Sequence, residues 1–115
     1  MKYLLFGPIL SLCAGVDTIL VQAPATLDGT TRQEFTTRAL DALGKLGESG
    51  APQRLVIDMR QTSRVDSSGL ASLVMLQVRA AERRHSIGLL GASEEVRFLL
   101  LMTRLEDRFD LDPQL

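Results

Sequence analysis

The sequence predicts an α/β fold, a small mixed β-sheet with helices packed against it, in the order ββαβαβαβ. Three observations carry this expectation. Leu55-Val-Ile57 and Ile87-Gly-Leu-Leu90 are short apolar runs of strand length. Between them, Leu70 to Val78 is apolar on nearly every side and too long for one strand. Phe35, Ala39, Leu43 and Leu46 recur at helical spacing, with Arg32, Glu34, Arg38 and Asp41 elsewhere on the turn. Strand, helix and strand within about 35 residues form a βαβ unit, whose strands run parallel through a right-handed crossover. The 115 residues fit one domain spanning positions 1–115.

Each element has a local reason. Tyr3–Leu12 and Thr18–Gln22 are apolar stretches separated by Gly15 and Asp17, and read as a strand pair with a turn between. Pro24 demotes any further strand, and Leu27-Asp28-Gly29 is a turn. Thr31-Arg-Gln-Glu34 has the spacing of a capping box, so it opens the first helix. Gly47 and Gly50-Ala-Pro52 end it. Leu55–Ile57 reads as a strand buried on both faces and ends at Asp58. A polar loop from Arg60 to Asp66 leads to a helix over Ser67–Arg84. Ile87–Leu90 is the next strand. Ser93-Glu-Glu supplies a cap and two acids at the start of a last helix. Phe109-Asp-Leu111, ahead of Pro113, is a terminal edge strand.

Composition narrows the function classes. Thirteen basic against 14 acidic side chains leave a net charge of −1, which offers no electrostatic footprint for nucleic acid or an anionic membrane. The one basic cluster, Arg83-Arg84-His85, reads as the end of a helix, with His85 a surface turn residue. A single cysteine, Cys13, excludes an internal disulfide and a multi-cysteine metal site, and reads as a small buried apolar residue. Lys2 followed by an apolar run resembles a signal peptide superficially. Gly7-Pro8 interrupts that run, and cleavage near Ala14 would delete the first strand. No stretch approaches the ~20 apolar residues of a membrane helix, so no membrane insertion is expected.

Enzyme chemistry finds no foothold. Neither Ser67 nor Ser68 sits in a Gly-x-Ser-x-Gly elbow, and His85 lies at the far end of the helix. No Gly-Lys-Ser/Thr phosphate loop occurs. Asp28, Asp58 and Asp66 could make a weak cation site, but turn and cap acids are the ordinary reading. No catalytic residue, metal or cofactor is expected.

The informative segment is Arg64-Val-Asp-Ser-Ser-Gly-Leu70, where a strand's carboxyl end passes through a loop into a helix. A phosphate on Ser67 would meet the unpartnered N–H groups and positive dipole end of that helix, beside Asp66. Plain capping by Asp66 or Ser67, with Gly69 allowing close backbone packing, accounts for the same residues. The last helix adds a second feature. Val96, Leu99, Leu100 and Thr103 form a stripe for the sheet, and Phe98, Leu101 and Met102 form another, offset around the axis. A second stripe means deep burial, the commoner outcome, or a face kept for a partner.

Three stretches together resemble the STAS family, the sulfate transporter and anti-sigma factor antagonist domains. They are Ala25-Thr-Leu-Asp28-Gly, then Leu55-Val-Ile-Asp-Met with Val65-Asp-Ser-Ser-Gly-Leu-Ala-Ser-Leu, then Glu95 to Phe109. The resemblance implies an STAS-type sheet and a non-enzymatic bacterial anti-sigma factor antagonist acting in the cytoplasm on transcription. It places the phosphoacceptor at Ser67, with Ser68 the less favoured neighbour. Asp28, Asp66, Ser68, Gly69, Phe98 and Met102 become the expected partner-binding residues. The implied partner is an anti-sigma factor that is also a serine kinase of histidine-kinase-like ATPase fold, with a phosphatase reversing the mark. The alternative is a regulatory STAS subunit that binds the ATPase of an ABC-type lipid transporter.

Overall fold

A computed structural model describes residues 4–5, 18–46 and 53–112. Seven strands and three helices alternate along them: β1 (Leu4–Leu5), β2 (Thr18–Gln22), β3 (Thr26–Leu27), α1 (Arg32–Lys45), β4 (Arg54–Asp58), β5 (Arg64–Val65), α2 (Ser67–Glu82), β6 (Ser86–Leu90), α3 (Glu94–Met102) and, after a 3-10 turn at Glu106–Arg108, β7 (Asp110–Asp112). The main sheet has five strands in the order β1-β2-β4-β6-β7, and β3 pairs with β5 in a separate two-stranded sheet.

The βαβ expectation holds. β4 and β6 run parallel, with Leu55 opposite Ile87 and Ile57 opposite Leu89, joined through α2. β7 takes the edge beside β6. Leu55, Val56 and Ile57 are each fully buried, as a central parallel strand requires. Side chains alternate across the sheet. Ile19, Val21, Leu55, Ile57, Ile87 and Leu89 join the main core with Phe35, Leu73 and Leu76. Leu20, Val56 and Leu90 gather into a smaller cluster of their own.

Several expectations change. Every pairing among the described strands is parallel, including β1 with β2 through Leu4 opposite Ile19. The α/β sheet with its packed helices is as expected, its described strands all run parallel, and a parallel pair such as β1 and β2 is not joined by the tight turn expected between them. Most of the Tyr3–Leu12 stretch, Cys13, Gly47 and Gly50-Ala-Pro52 lie outside the described residues. The polar loop after β4 contains β5, which pairs with β3 at Thr26–Arg64 and Leu27–Val65 despite Pro24. Two-residue strands carry no periodicity, so only the partner strand reveals them.

The capping box does not form. Thr31 makes no side-chain cap, and its hydroxyl instead donates to the Thr26 carbonyl at 2.7 Å. His85 is buried rather than a surface residue, its Nδ1 accepting the Gln53 N–H at 3.3 Å. Arg84, at φ 63°, reverses the chain after α2, and the His85 N–H donates to the Ala80 carbonyl at 2.9 Å. α2 is less enclosed than its composition suggests, with Val78 43% exposed.

Candidate functional site

The carboxyl ends of β2, β4 and β6 lie at one edge of the parallel sheet, the usual location of a site in such folds. Two loops build this edge. In the first, Thr62, buried, donates from its hydroxyl to the Pro24 carbonyl at 2.7 Å, and the Ser63 N–H donates to the Ala25 carbonyl at 2.9 Å. These bonds align β5 against β3 and aim the chain into α2. The Asp66 N–H then donates to the Leu27 carbonyl at 3.2 Å, which places the start of α2 against the β3 turn.

Asp66 caps α2, its Oδ1 accepting the Gly69 N–H at 2.9 Å. Of the two capping candidates in the sequence it is Asp66, not Ser67, that closes the helix. Ser67 is therefore the first helical residue, exposed, with no hydrogen-bond partner for its hydroxyl among the described residues. Ser68 is half-buried, and a Cβ placed on Gly29 would be 3.8 Å from its Oγ. Gly69 is required by contact: a Cβ there would collide with the Leu27 carbonyl oxygen and sit 2.9 Å from Leu27 Cγ.

Asp28 governs the facing turn. Its Oδ1 accepts the Thr30 N–H at 2.9 Å, the Thr30 hydroxyl at 2.7 Å and the Thr31 N–H at 3.1 Å. Its own carbonyl accepts the Arg32 N–H at 2.9 Å. This carboxylate thus supplies the N-terminal organisation that the sequence suggested for Thr31 and Glu34. Donation from the Thr30 hydroxyl, aided by the Thr30 and Thr31 N–H groups, holds its carboxyl below the usual range. Asp28 therefore remains a fixed negative charge on the turn that faces the α2 start.

On the other side of the α2 start stands α3. Ser93 caps it, accepting the Val96 N–H at 3.2 Å. Val96 and Leu100 are buried against the core, but Phe98 is 61%, Leu101 50% and Met102 65% exposed. The second stripe is thus a surface, not the buried face that the commoner outcome implied. A groove of about 360 Å³ runs between α3 and β5, lined by Val65, Leu99, Phe98 and Met102, with Arg64 and Glu95 at its margin. Arg64 and Val65 stood in the informative segment and Leu99 in the stripe assigned to the sheet, but none of the three was named as a partner-binding residue.

The expected site residues consequently divide into two neighbouring groups. Asp66, Ser67, Ser68 and Gly69 form the α2 start with Asp28 on the turn that faces it, while Phe98 and Met102 lie across β5 on α3. Asp58 belongs to neither. It sits at the end of β4, buried and paired with Arg60, whose guanidinium donates to both carboxylate oxygens at 2.9 and 2.8 Å. That pairing, against the cost of burial, lowers the Asp58 carboxyl from its ordinary value. Among the described residues no three His, Cys, Asp or Glu side chains converge as metal ligands. Nor, among them, is any helix long and apolar enough to cross a membrane.

Known proteins share this fold. Two solved structures align over most of the chain. One is a Thermotoga maritima protein designated a putative anti-sigma factor antagonist, with TM-score 0.69 and 17% identity over 84% of this chain and 79% of that one. The other is a sulfate transporter family protein from Wolinella succinogenes, with TM-score 0.68 and 15% identity over 88% and 81%. At such identities they show the fold alone. A STAS-domain containing protein of Pseudomonas aeruginosa (strain UCBPP-PA14) is 35% identical over 60 residues, 52% of this chain and 59% of that relative's length. The family model described as "Mlab, STAS domain" matches residues 16–113, which takes in β2 to β7 and both halves of the site. With its parallel sheet, its Asp-Ser-Ser-Gly helix start and this match, the chain belongs to the STAS domain family, a regulatory and binding fold.

Proposed function

We propose that this chain is an anti-sigma factor antagonist, a protein-binding switch controlled by phosphorylation of Ser67. One observation carries the reading. The Ser67 hydroxyl is exposed and unpartnered at the first turn of α2, because Asp66 has taken over the capping. A phosphate there adds about −1.5 to −2 charges without displacing a core contact. It meets the positive end of the α2 dipole, so the fold tolerates it. It also stands beside the Asp66 carboxylate, with Asp28 on the facing turn, at the centre of the surface a partner would cover. The unphosphorylated chain binds an anti-sigma factor with serine-kinase activity in the cytoplasm and so releases a sigma factor. Phosphorylation ends the complex, and a phosphatase restores it. Ser68, half-buried, is the poorer acceptor. The likeness of fold to a protein designated an anti-sigma factor antagonist supports the reading.

Titration calorimetry of wild type, Ser67→Ala and Ser67→Asp against the kinase encoded nearest this chain tests it, with thermal melts alongside. Ser67→Ala keeps binding. Ser67→Asp loses on the order of a hundredfold in affinity, since an anion in a desolvated interface goes uncompensated. Equal affinity of wild type and Ser67→Asp sinks the switch.

The Mlab description of the family model favours a second reading, a subunit that regulates an ABC-type lipid transporter by binding its ATPase. The same surface would serve. Co-purification separates the two: a transporter ATPase held equally by wild type and Ser67→Asp supports the second reading and excludes the first.

A further inference from the structure

Arg60, on the loop that leads from β4 to β5, belongs to neither half of the candidate surface. It follows β4 by two residues, and its guanidinium is paired although the side chain is 42% exposed. The backbone N–H donates to Asp58 Oδ1 at 3.0 Å, Nε to the same oxygen at 2.9 Å, and Nη2 to Oδ2 at 2.8 Å. Such a bidentate fork fixes the guanidinium in plane and in distance. Asp58 is only 7% exposed and its carbonyl accepts the Ala23 N–H at 2.9 Å, so the anchor belongs to the rigid end of the sheet.

The aliphatic part of Arg60 crosses Gly91. A Cβ on Gly91 would collide with Arg60 Cγ and approach Cδ to 3.4 Å. Gly91 holds φ at 65°, a conformation natural to glycine. It lies two residues before Ser93, which caps α3. The same loop is tied to β6 by the Met59 N–H, which donates to the Leu90 carbonyl at 2.9 Å. Beyond Arg60 the chain is tied to the Pro24–Ala25 segment through Thr62 and Ser63, and it then delivers Asp66 and Ser67. One side chain therefore touches the lead into α3 while its own loop leads into α2.

We propose that Arg60, clasped to Asp58 and laid across Gly91, is a positioning residue that holds α3 at a set spacing from Asp66 and Ser67. This rests on the proposed binding function and deepens it: a partner that covers both Ser67 and the Phe98–Met102 face requires the two at one separation. Without the clasp the groove between β5 and α3 varies in width, and the partner must order it on binding, at a cost in affinity.

The clasp is tested without any partner. Spin labels at Ala71→Cys on α2 and Arg97→Cys on α3, both exposed positions, report the separation in a Cys13→Ala background. The parent gives one narrow distance distribution. Arg60→Ala loses that single peak and broadens. Arg60→Lys, which keeps the charge but not the fork, broadens as well, and Arg38→Ala on the outer surface of α1 does not. Gly91→Ala shifts the distribution, and should it fail to fold, Arg60→Ala alone decides. A single unchanged peak in Arg60→Ala overturns the proposal. Calorimetry of unlabelled Arg60→Ala with the kinase then expects roughly tenfold weaker binding. Unchanged affinity beside a broadened distribution leaves the clasp standing and overturns instead the reading that one partner spans both halves.

Discussion

Gly69, in the first turn of α2, lies directly against the carbonyl oxygen of Leu27, with no room for a Cβ between them. The Asp66 N–H donates to that same carbonyl at 3.2 Å, so one backbone oxygen locates both the cap and the first turn of the helix. Gly69→Ala forces this junction apart. A cost of about 2 kcal/mol is expected, in the range of core overpacking. In α1, by contrast, a methyl group added at Gly44 would meet nothing within 4 Å. Gly44→Ala is therefore expected to stabilise by about 0.5–1 kcal/mol through backbone entropy. Urea denaturation of both variants checks the opposite signs, and a neutral Gly69→Ala would show the contact to be relaxed easily.

Asp66 combines a cap with a charge, and two substitutions separate them. Asp66→Asn retains an oxygen for the Gly69 N–H, so stability holds within a few tenths of a kcal/mol. Asp66→Ala loses the cap, at about 1 kcal/mol. If Asp66 also contacts the partner, both variants weaken binding, although only the second lowers the melting temperature. Parallel melts and calorimetry read the two effects. Full affinity in Asp66→Asn would confine the charge to the fold.

Phe98 and Met102 are expected to be expendable for folding. Each is more than half exposed. Phe98→Glu and Met102→Glu should change stability by no more than about 0.5 kcal/mol, as surface substitutions do. Against the partner each should cost about 2 kcal/mol, since exposed aromatic and methionine anchors carry interface energy. Val96→Glu, in the buried stripe of the same helix, should instead collapse the melt. Equal binding by Phe98→Glu and wild type would remove α3 from the surface.

Acid should weaken the fold through Asp58. Hydrogen bonding from Arg60 lowers its native pKa below the ordinary 3.8. The unfolded state therefore takes up the proton first as pH falls. The stability from this pair is complete above 3.8 and is lost as pH drops through the lower native value. Arg60→Ala removes the cause of the shift. Wild type should exceed Arg60→Ala in urea midpoint at neutral pH, and the gap should narrow once the pH is well below 3.8. A gap that is constant with pH would assign the Arg60 contribution to packing across Gly91 rather than to charge.

The βαβ unit, the strand buried on both faces and the three helices were legible because they depend on local periodicity and length. Leu55–Ile57 is apolar without interruption, and Phe35 to Leu46 repeats every three or four residues. The close backbone packing at Gly69 was legible too, because few other reasons place glycine in the first turn of a helix. What failed failed for lack of partners in view. Thr31 and Glu34 have capping-box spacing, but Asp28 reaches the N–H groups of Thr30 and Thr31 first, and its advantage lies in a turn geometry that spacing does not encode. His85 reads as surface beside two arginines, yet its Nδ1 accepts the N–H of Gln53, 32 residues away in sequence.

By itself, then, the sequence determined the three helices and the longer strands of the βαβ unit, and that a helix opening on Asp66-Ser-Ser-Gly69 follows the Leu55–Ile57 strand. Only the tertiary structure decided that β5 pairs with β3, that every described pairing is parallel, and that Phe98 and Met102 remain uncovered on α3. It also decided that Asp58 and Arg60 join two loops. The division has one physical cause. Amphipathic period is a property of neighbours along the chain, whereas strand pairing, burial of a second apolar stripe and the seating of Arg60 across Gly91 depend on which distant surfaces arrive to cover them.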